Sequence, residues 1–331
     1  MTFVETTPVI IPPIEQLEEM KNITKPRKKR QPKHDFGDGF GRINAHKHDN
    51  GNGWIADTAR VEDTVYVGRR CQIYDNAIVR GQVRLEGTSK ISGHAVVSGG
   101  VTLAKQAHVF GTAIVRDTTS LSDNVKVFGA ANVAGSSCLA GDVKIFDSAQ
   151  IVSTSASDKT EISGRAFVLN SNLHGTIEIK GNCCVVKSQI NGWARINGQA
   201  NMLASAIHNH RQNEFVLLTD RAVVGNESAI YMPIEIKDSA VVLKTNIMND
   251  YNASYTAENI FTLNGSMVLQ RQSFRSLNDM RRFVEMLTQN GGRTGAAQFT
   301  SNGQIANFPV RRVEMSPPGP RRVMRLQEVH S

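Results

Sequence analysis

Counted in sixes from Ile55, the chain puts Ile, Leu or Val at every stop as far as Ile151, through Val61, Val67, Ile73, Val79, Leu85 and Ile91 to Val133, Leu139 and Ile145. A strict six-residue apolar period suits neither one face of an α-helix nor an ordinary alternating strand. The residue two places before each stop is nearly always small or β-branched, beginning with Ala59, Val65, Cys71, Ala77, Val83 and Ser89. Two inward residues flanking one outward residue make a short strand segment of period two. The rest of each hexad is turn chemistry, as in Asp75-Asn76, Gly111-Thr112 and Gly141-Asp142, residue types that tolerate the positive φ of tight corners. Each hexad thus predicts one strand and one corner, stacked into a solenoid. With 27 glycines and only 6% aromatic residues, the composition suits a core of small inward positions.

This pattern resembles the hexapeptide-repeat proteins, and the resemblance covers residues 54–248. It implies an all-β chain folded as a left-handed parallel β-helix, with three flat faces and three hexads to each coil. About ten triangular coils would give a prism on the order of 50 Å long at roughly 4.8 Å per coil. The resemblance specifies fold more than activity, because acyltransferases, γ-class carbonic anhydrases and non-catalytic proteins all share it. Related β-helices are usually trimers, which makes a homotrimer the expected oligomer. After Ile151 the phase slips through a polar stretch, 153–159, and resumes at Ile162 and Val168. Ser171-Asn172-Leu173, Ser188-Gln189-Ile190 and Ser205-Ala206-Ile207 then recur at a spacing one short of three hexads, so one corner of each later coil has lost a residue.

Outward positions three hexads apart stack into columns. One face carries Tyr74, Ser92, Phe110, Phe128 and Phe146 beside Gln72, Lys90, His108, Lys126 and Lys144. Another carries Ile78, Val96 and Ile114 beside Arg80, Ser98 and Arg116, and the third is plainer, with Glu86, Ala104, Ser122 and Ala140. Aromatics interleaved with cations can bind single-stranded nucleic acid. Stacked aromatics on a flat face point first to a protein contact, or to a surface covered by the chain's own terminal segment. The Ile78, Val96, Ile114 column suits an oligomer contact.

Residues 1–53 read as a basic extended arm, with Trp54 placed to cap the open end of the first coil. Lys25, Arg27, Lys28, Lys29 and Arg30 form one basic block; Arg311, Arg312, Arg321 and Arg322 form another in a basic C-terminal arm, 293–331. With a formal net charge of +8, the arms invite nucleic acid or acidic protein surfaces. Between prism and C-terminal arm, 249–292 reads as a capping segment with a short helix near 276–289, striped by Leu277, Met280, Val284 and Leu287 and stopped by Gly291-Gly292. The Gly-rich run 37–42 lacks the GK[ST] ending of a phosphate loop. No apolar run reaches the roughly 20 residues of a membrane helix, and no signal-peptide pattern opens the chain. The expected location is the cytoplasm, or a virion or other large assembly, with no membrane partner. The four cysteines form no CxxC pair, and Cys71 and Cys183 fall on small inward positions.

In hexapeptide acyltransferases a loop leaves the coils and a histidine base works beside bound acyl-CoA. The matching place here is 208–214, where His208 or His210 is a candidate base and Glu214 its orienting carboxylate. The γ-class anhydrases need three histidines converging on zinc. His208 and His210 form one HxH pair and His46 and His48 another, but neither His108 nor His174 completes that family's motif, so no metal is expected. His94 and His108 read as solvent-facing. The leading expectation is a non-catalytic structural or assembly protein without cofactor, such as a scaffold, cement or virion component. An acyl-CoA-dependent acyltransferase and a nucleic-acid-binding module are the alternatives.

Overall fold

The computed structural model describes residues 32–247 apart from 211 and 213, and beyond them 261–263, 268–270, 272–274, 279–280, 282–283, 285, 296–299 and 305–308. The hexads form a left-handed parallel β-solenoid of about 11 turns. The inward Ile, Leu and Val series is buried and joins Val65, Cys71, Ala77 and their successors in one continuous core; Ala59 and Val61, in the first coil, are only partly covered. One face is a 12-stranded sheet. The other two faces merge into one 23-stranded sheet. The merger comes from three long strands, Ser155–Ile162, Asn172–Ile179 and Gln189–Ile196, which run straight through the corner between those faces. Register follows the sequence spacing, with Val97 opposite Val115 in the regular part and Ile162 opposite Ile179 after the slip.

The prism continues past 248. Phe261–Leu263, Val268–Gln270 and Ser273–Phe274 pair in parallel with the coil before them, inside the stretch expected to be only a cap. Between Ile236 and its partner Leu263 the spacing widens well beyond three hexads, which hides the repeat from a count in sixes. Asp279, Met280, Arg282, Phe283 and Glu285 are helical. Met280 and Phe283 close the core, with Phe283 meeting Phe274 edge to face at 5.4 Å. Phe283 thus belongs to the buried stripe, while Leu277, Val284 and Leu287 lie outside the described residues. Ala296–Phe299 and Ile305–Phe308 form an antiparallel hairpin where the sequence suggests only an arm.

Corners take the left-handed conformation in columns, as at Asp75, Gly93, Gly111, Gly129 and Asp147. Glycine fits because the chain passes so close to the next coil: a Cβ on Gly93 would lie 2.8 Å from the Gly111 amide nitrogen. Aspartate at the same φ is compensated by a bond. Asp75 Oδ2 accepts from the Gly93 N–H at 2.8 Å, Asp117 from Gly135 at 2.9 Å and Asp147 from Gly164 at 3.0 Å.

The shortened corners of the later coils hold a ladder of buried hydroxyls. The N–H groups of Thr154, Ser171, Ser188 and Ser205 each donate to the hydroxyl of the equivalent residue one coil back, from Ser137 through Ser188. These hydroxyls in turn donate to carbonyls of their own coil, as Ser188 does to Val186 at 2.8 Å. The recurring serines therefore satisfy the backbone of a corner that is one residue too short. Ser188→Ala leaves the Ser205 N–H without that acceptor and should cost about 1–3 kcal/mol. Ser188→Thr should be tolerated, since Thr154 and Thr245 occupy the same column. Urea unfolding of the two variants checks this, and equal midpoints would contradict it.

At the other end, residues 33–53 are not an extended arm. Strand β1 (Lys33–Asp35) pairs antiparallel with β2 (Arg42–Lys47), and β2 pairs antiparallel with β3 (Trp54–Ala56), the first strand of the prism. The first coil is thus closed by a paired strand, which removes an exposed sheet edge. Trp54 does not cap the core. Ile55 points inward, so strand alternation sends Trp54 outward, where it packs with Phe36, Ala45, Ala56 and Tyr74 in a small outer cluster.

Candidate functional site

The laddered face is built by sheet register. Gln72, Lys90, His108, Lys126 and Lys144 stand opposite one another in successive coils. One residue beyond the inward position, the rings of Phe110 and Phe128 stack at 4.8 Å with 3° between planes, and Phe128 and Phe146 at 4.9 Å with 5°. That is the strand spacing itself. Parallel rings this close cannot lie side by side, so their faces are turned to one another and their edges outward. A base stacks on a free aromatic face, which this stack of three half-buried rings can offer only at its two ends. Aromatic edges instead suit the face of another ring or an oxygen acceptor.

The cationic column divides in two. Beyond Lys144 it becomes Glu161, Glu178 and Arg195, which pair with one another and with Lys180: Lys180 lies 2.9 Å from Glu161, and Arg195 3.5 Å from Glu178. Arg195 also lies 3.8 Å over the Phe215 ring, and Trp193 meets the same ring at 5.2 Å. Counting ahead to Glu161 and Glu178 in the sequence would have found this self-paired half. Lys126 and Lys144 have no acidic partner within ion-pair distance among the described residues.

His108 is not simply solvent-facing. It is half-buried between Lys90 and Lys126, with Nε2 3.1 Å from the Ser92 hydroxyl and its ring 4.5 Å from Phe110. Burial and then the two lysines lower its pKa from 6.5 to about 4. The imidazole is a neutral rung at neutral pH. As pH falls from 6.5 towards 4, the unfolded chain takes up a proton that the folded chain refuses, so stability is lost across that window. His108→Gln should lose less stability than wild type between pH 7 and pH 4.5. Equal losses, or an NMR titration of His108 near 6.5, would contradict the assignment.

The chain's own hairpin covers the first rungs of this face. His34 stacks on Trp54 at 4.3 Å, and the Gln72 amide donates to its Nε2 at 3.0 Å. Phe36 stacks on Tyr74 at 4.9 Å, and Lys90 Nζ donates to the Phe36 carbonyl at 3.3 Å. Tyr74 is therefore buried, while Phe110, Phe128 and Phe146 keep their outer edges. His34 and Phe36, one residue apart in the hairpin, engage two columns one residue apart on the face.

Elsewhere, Ile78, Val96 and Ile114 do stack in register, and Ile114 is 40% exposed. The column then turns polar at Asn132. The chain departs from the coils after Asn209, whose buried amide donates to the Trp193 and Glu214 carbonyls and closes the base of the loop. His208 accepts from the Asn191 amide at 3.2 Å and stacks on Tyr231 at 5.2 Å. Its pKa is lowered by burial and then by His210. His210 is exposed, and Glu214 is half-buried at the base of the loop. No group of three metal-ligating side chains converges among the described residues, and none of their helices is long and apolar enough to cross a membrane. Cys71 and Cys183 pack inward, and burial raises both thiols, Cys183 to about 11. The basic residues Lys25, Arg27, Lys28, Lys29, Arg30, Arg311, Arg312, Arg321 and Arg322 lie outside the described residues. Comparison with known proteins finds no family and no curated protein that matches the chain.

Proposed function

We propose that this chain is a non-catalytic structural or assembly protein, a solenoid of hexapeptide-repeat type that holds neighbours on its flat faces. The observation that carries the reading is the open Phe110, Phe128, Phe146 ladder beside Lys126 and Lys144, next to rungs that the chain's own hairpin already covers. Preformed flat contacts of this kind need little side-chain ordering on docking, because neighbouring rings already fix one another. The basic terminal segments would add positive charge to such contacts. No cofactor is required. Residence in the cytoplasm, or within a virion or other large assembly, is consistent with this role.

The second reading is an acyl-CoA-dependent acyltransferase, favoured by the loop after Asn209, where the chain leaves the coils beside His208, whose pKa is lowered by burial and then by His210. The two readings separate in native extract and in an acyl-transfer assay. An assembly protein should sediment there with a defined larger complex, and Phe128→Glu should release it while leaving the thermal melt within a few degrees of wild type. A chain that sediments alone, or acyl-CoA turnover that His208→Ala abolishes, would overturn the assembly reading.

A further inference from the structure

Phe40 is 87% exposed, whereas Ile114 and Leu203, the next most exposed large apolar residues among those described, reach only 40% and 41%. It sits at the tip between β1 and β2, and the tip is not loose. Gly37 N–H donates to Asp35 Oδ1 and Phe40 N–H to Asp38 Oδ1, each at 2.9 Å. Gly37, Gly39 and Gly41 all take positive φ, with open space around each, so backbone freedom is what these turns need. The molecule thus spends two side-chain caps and three glycines on holding a bare aromatic ring in water. The same tip carries Asp35 and Asp38; Asp35 stands opposite Arg42 across the hairpin, which leaves Asp38, two residues before the ring, as the carboxylate with no cation opposite it.

We infer that the hairpin tip docks on the Phe110, Phe128, Phe146 ladder of a second copy of this chain, Phe40 lying over the ring edges and Asp38 facing the flank of Lys126 and Lys144. This rests on the assembly reading and names the partner. Three observations favour a second copy over other occupants. Asp38 stands at the tip and the ladder's flank is cationic, and those two lysines have no acidic partner within ion-pair distance among the described residues. Asp38 and Phe40 are separated by one residue, as are Lys126 and Phe128, and Lys144 and Phe146. The hairpin already reads this face within its own chain in that spacing, His34 on Gln72 and Phe36 on Tyr74, with Lys90 bonded to a hairpin carbonyl. The basic terminal segments are repelled by the flanking lysines, and nucleic acid finds a ring face only at the ends of the stack. If each copy both gives its tip and receives its partner's, the contact is two-fold and closes as a dimer rather than a trimer.

Sedimentation equilibrium of the nuclease-treated full chain tests this directly. Wild type should form a dimer that weakens at high salt. Phe40→Ser removes an aromatic anchor and should weaken the dimer by about tenfold or more. Phe40 stands almost wholly in water within its own chain, so at concentrations low enough for wild type to be monomeric the melting curve of this variant should match it. Asp38→Asn keeps the N–H cap but drops the charge, and it should weaken the dimer less, as should Lys144→Glu. Either of two results would overturn the inference: a wild type monomeric at every concentration, or a dimer or trimer indifferent to Phe40→Ser and Lys144→Glu. If purified chain is monomeric while the complex in extract persists, this contact falls and the assembly reading stands.

Discussion

Lys90 N–H donates to the Ala107 carbonyl, His108 N–H to Val125 and Lys126 N–H to Val143, each at 2.8–2.9 Å. These bonds clamp every coil one strand spacing from the next and leave no freedom of register. A buried Ile, Leu or Val at each inward position makes the register obligatory, because a one-residue slip would turn the core outward. Everything else on the surface is a projection of that constraint. Residues at equivalent places in successive coils must meet, and three phenylalanines so placed must stack at the strand spacing.

The constraint also explains how the molecule handles its weak points. A solenoid leaves an open sheet edge and an open core at each end. One end is closed by β2 pairing along β3, the other by Met280 and Phe283 in a helix. Where a corner loses a residue, Thr154, Ser171 and Ser188 supply from a side chain the acceptor that the shortened backbone lacks. The outer face is divided by the same logic. Its later half cancels its own charge through Glu161, Glu178, Lys180 and Arg195, while its earlier half leaves Lys126 and Lys144 uncancelled beside apolar edges. That asymmetry divides one face into a half that neutralises itself and a half whose lysines keep no acidic partner within ion-pair distance among the described residues.

The prism and its columns are legible in the sequence because the repeat is local and constant in spacing: Phe110, Phe128 and Phe146 align by counting alone. What counting misses depends on partners far apart in sequence. The β1–β2 hairpin is short and polar, and only its contacts with Trp54, Tyr74 and Lys90 fix it, so in sequence it reads as an arm. Trp54 reads as a cap, although strand alternation from Ile55 already sends it outward. His108 reads as exposed because Lys90 and Lys126, which half-bury it, come from the coils on either side. The last coil is hidden by the wide sequence spacing between Ile236 and Leu263. At the loop, sequence locates His208, His210 and Glu214, but the Asn191 amide that holds His208 comes from the neighbouring coil and carries no local signal.

If the laddered face is a contact surface, its open half is buried when the protein is in its working state. Hydroxyl-radical footprinting of the assembled and the dissociated protein, read at individual residues by mass spectrometry, measures that burial. Phe128 and Phe146 should be oxidised in the dissociated chain and protected in the assembly, while Tyr74, already covered by Phe36, should change little. Equal oxidation of Phe128 and Phe146 in both states would contradict a contact role for the ladder.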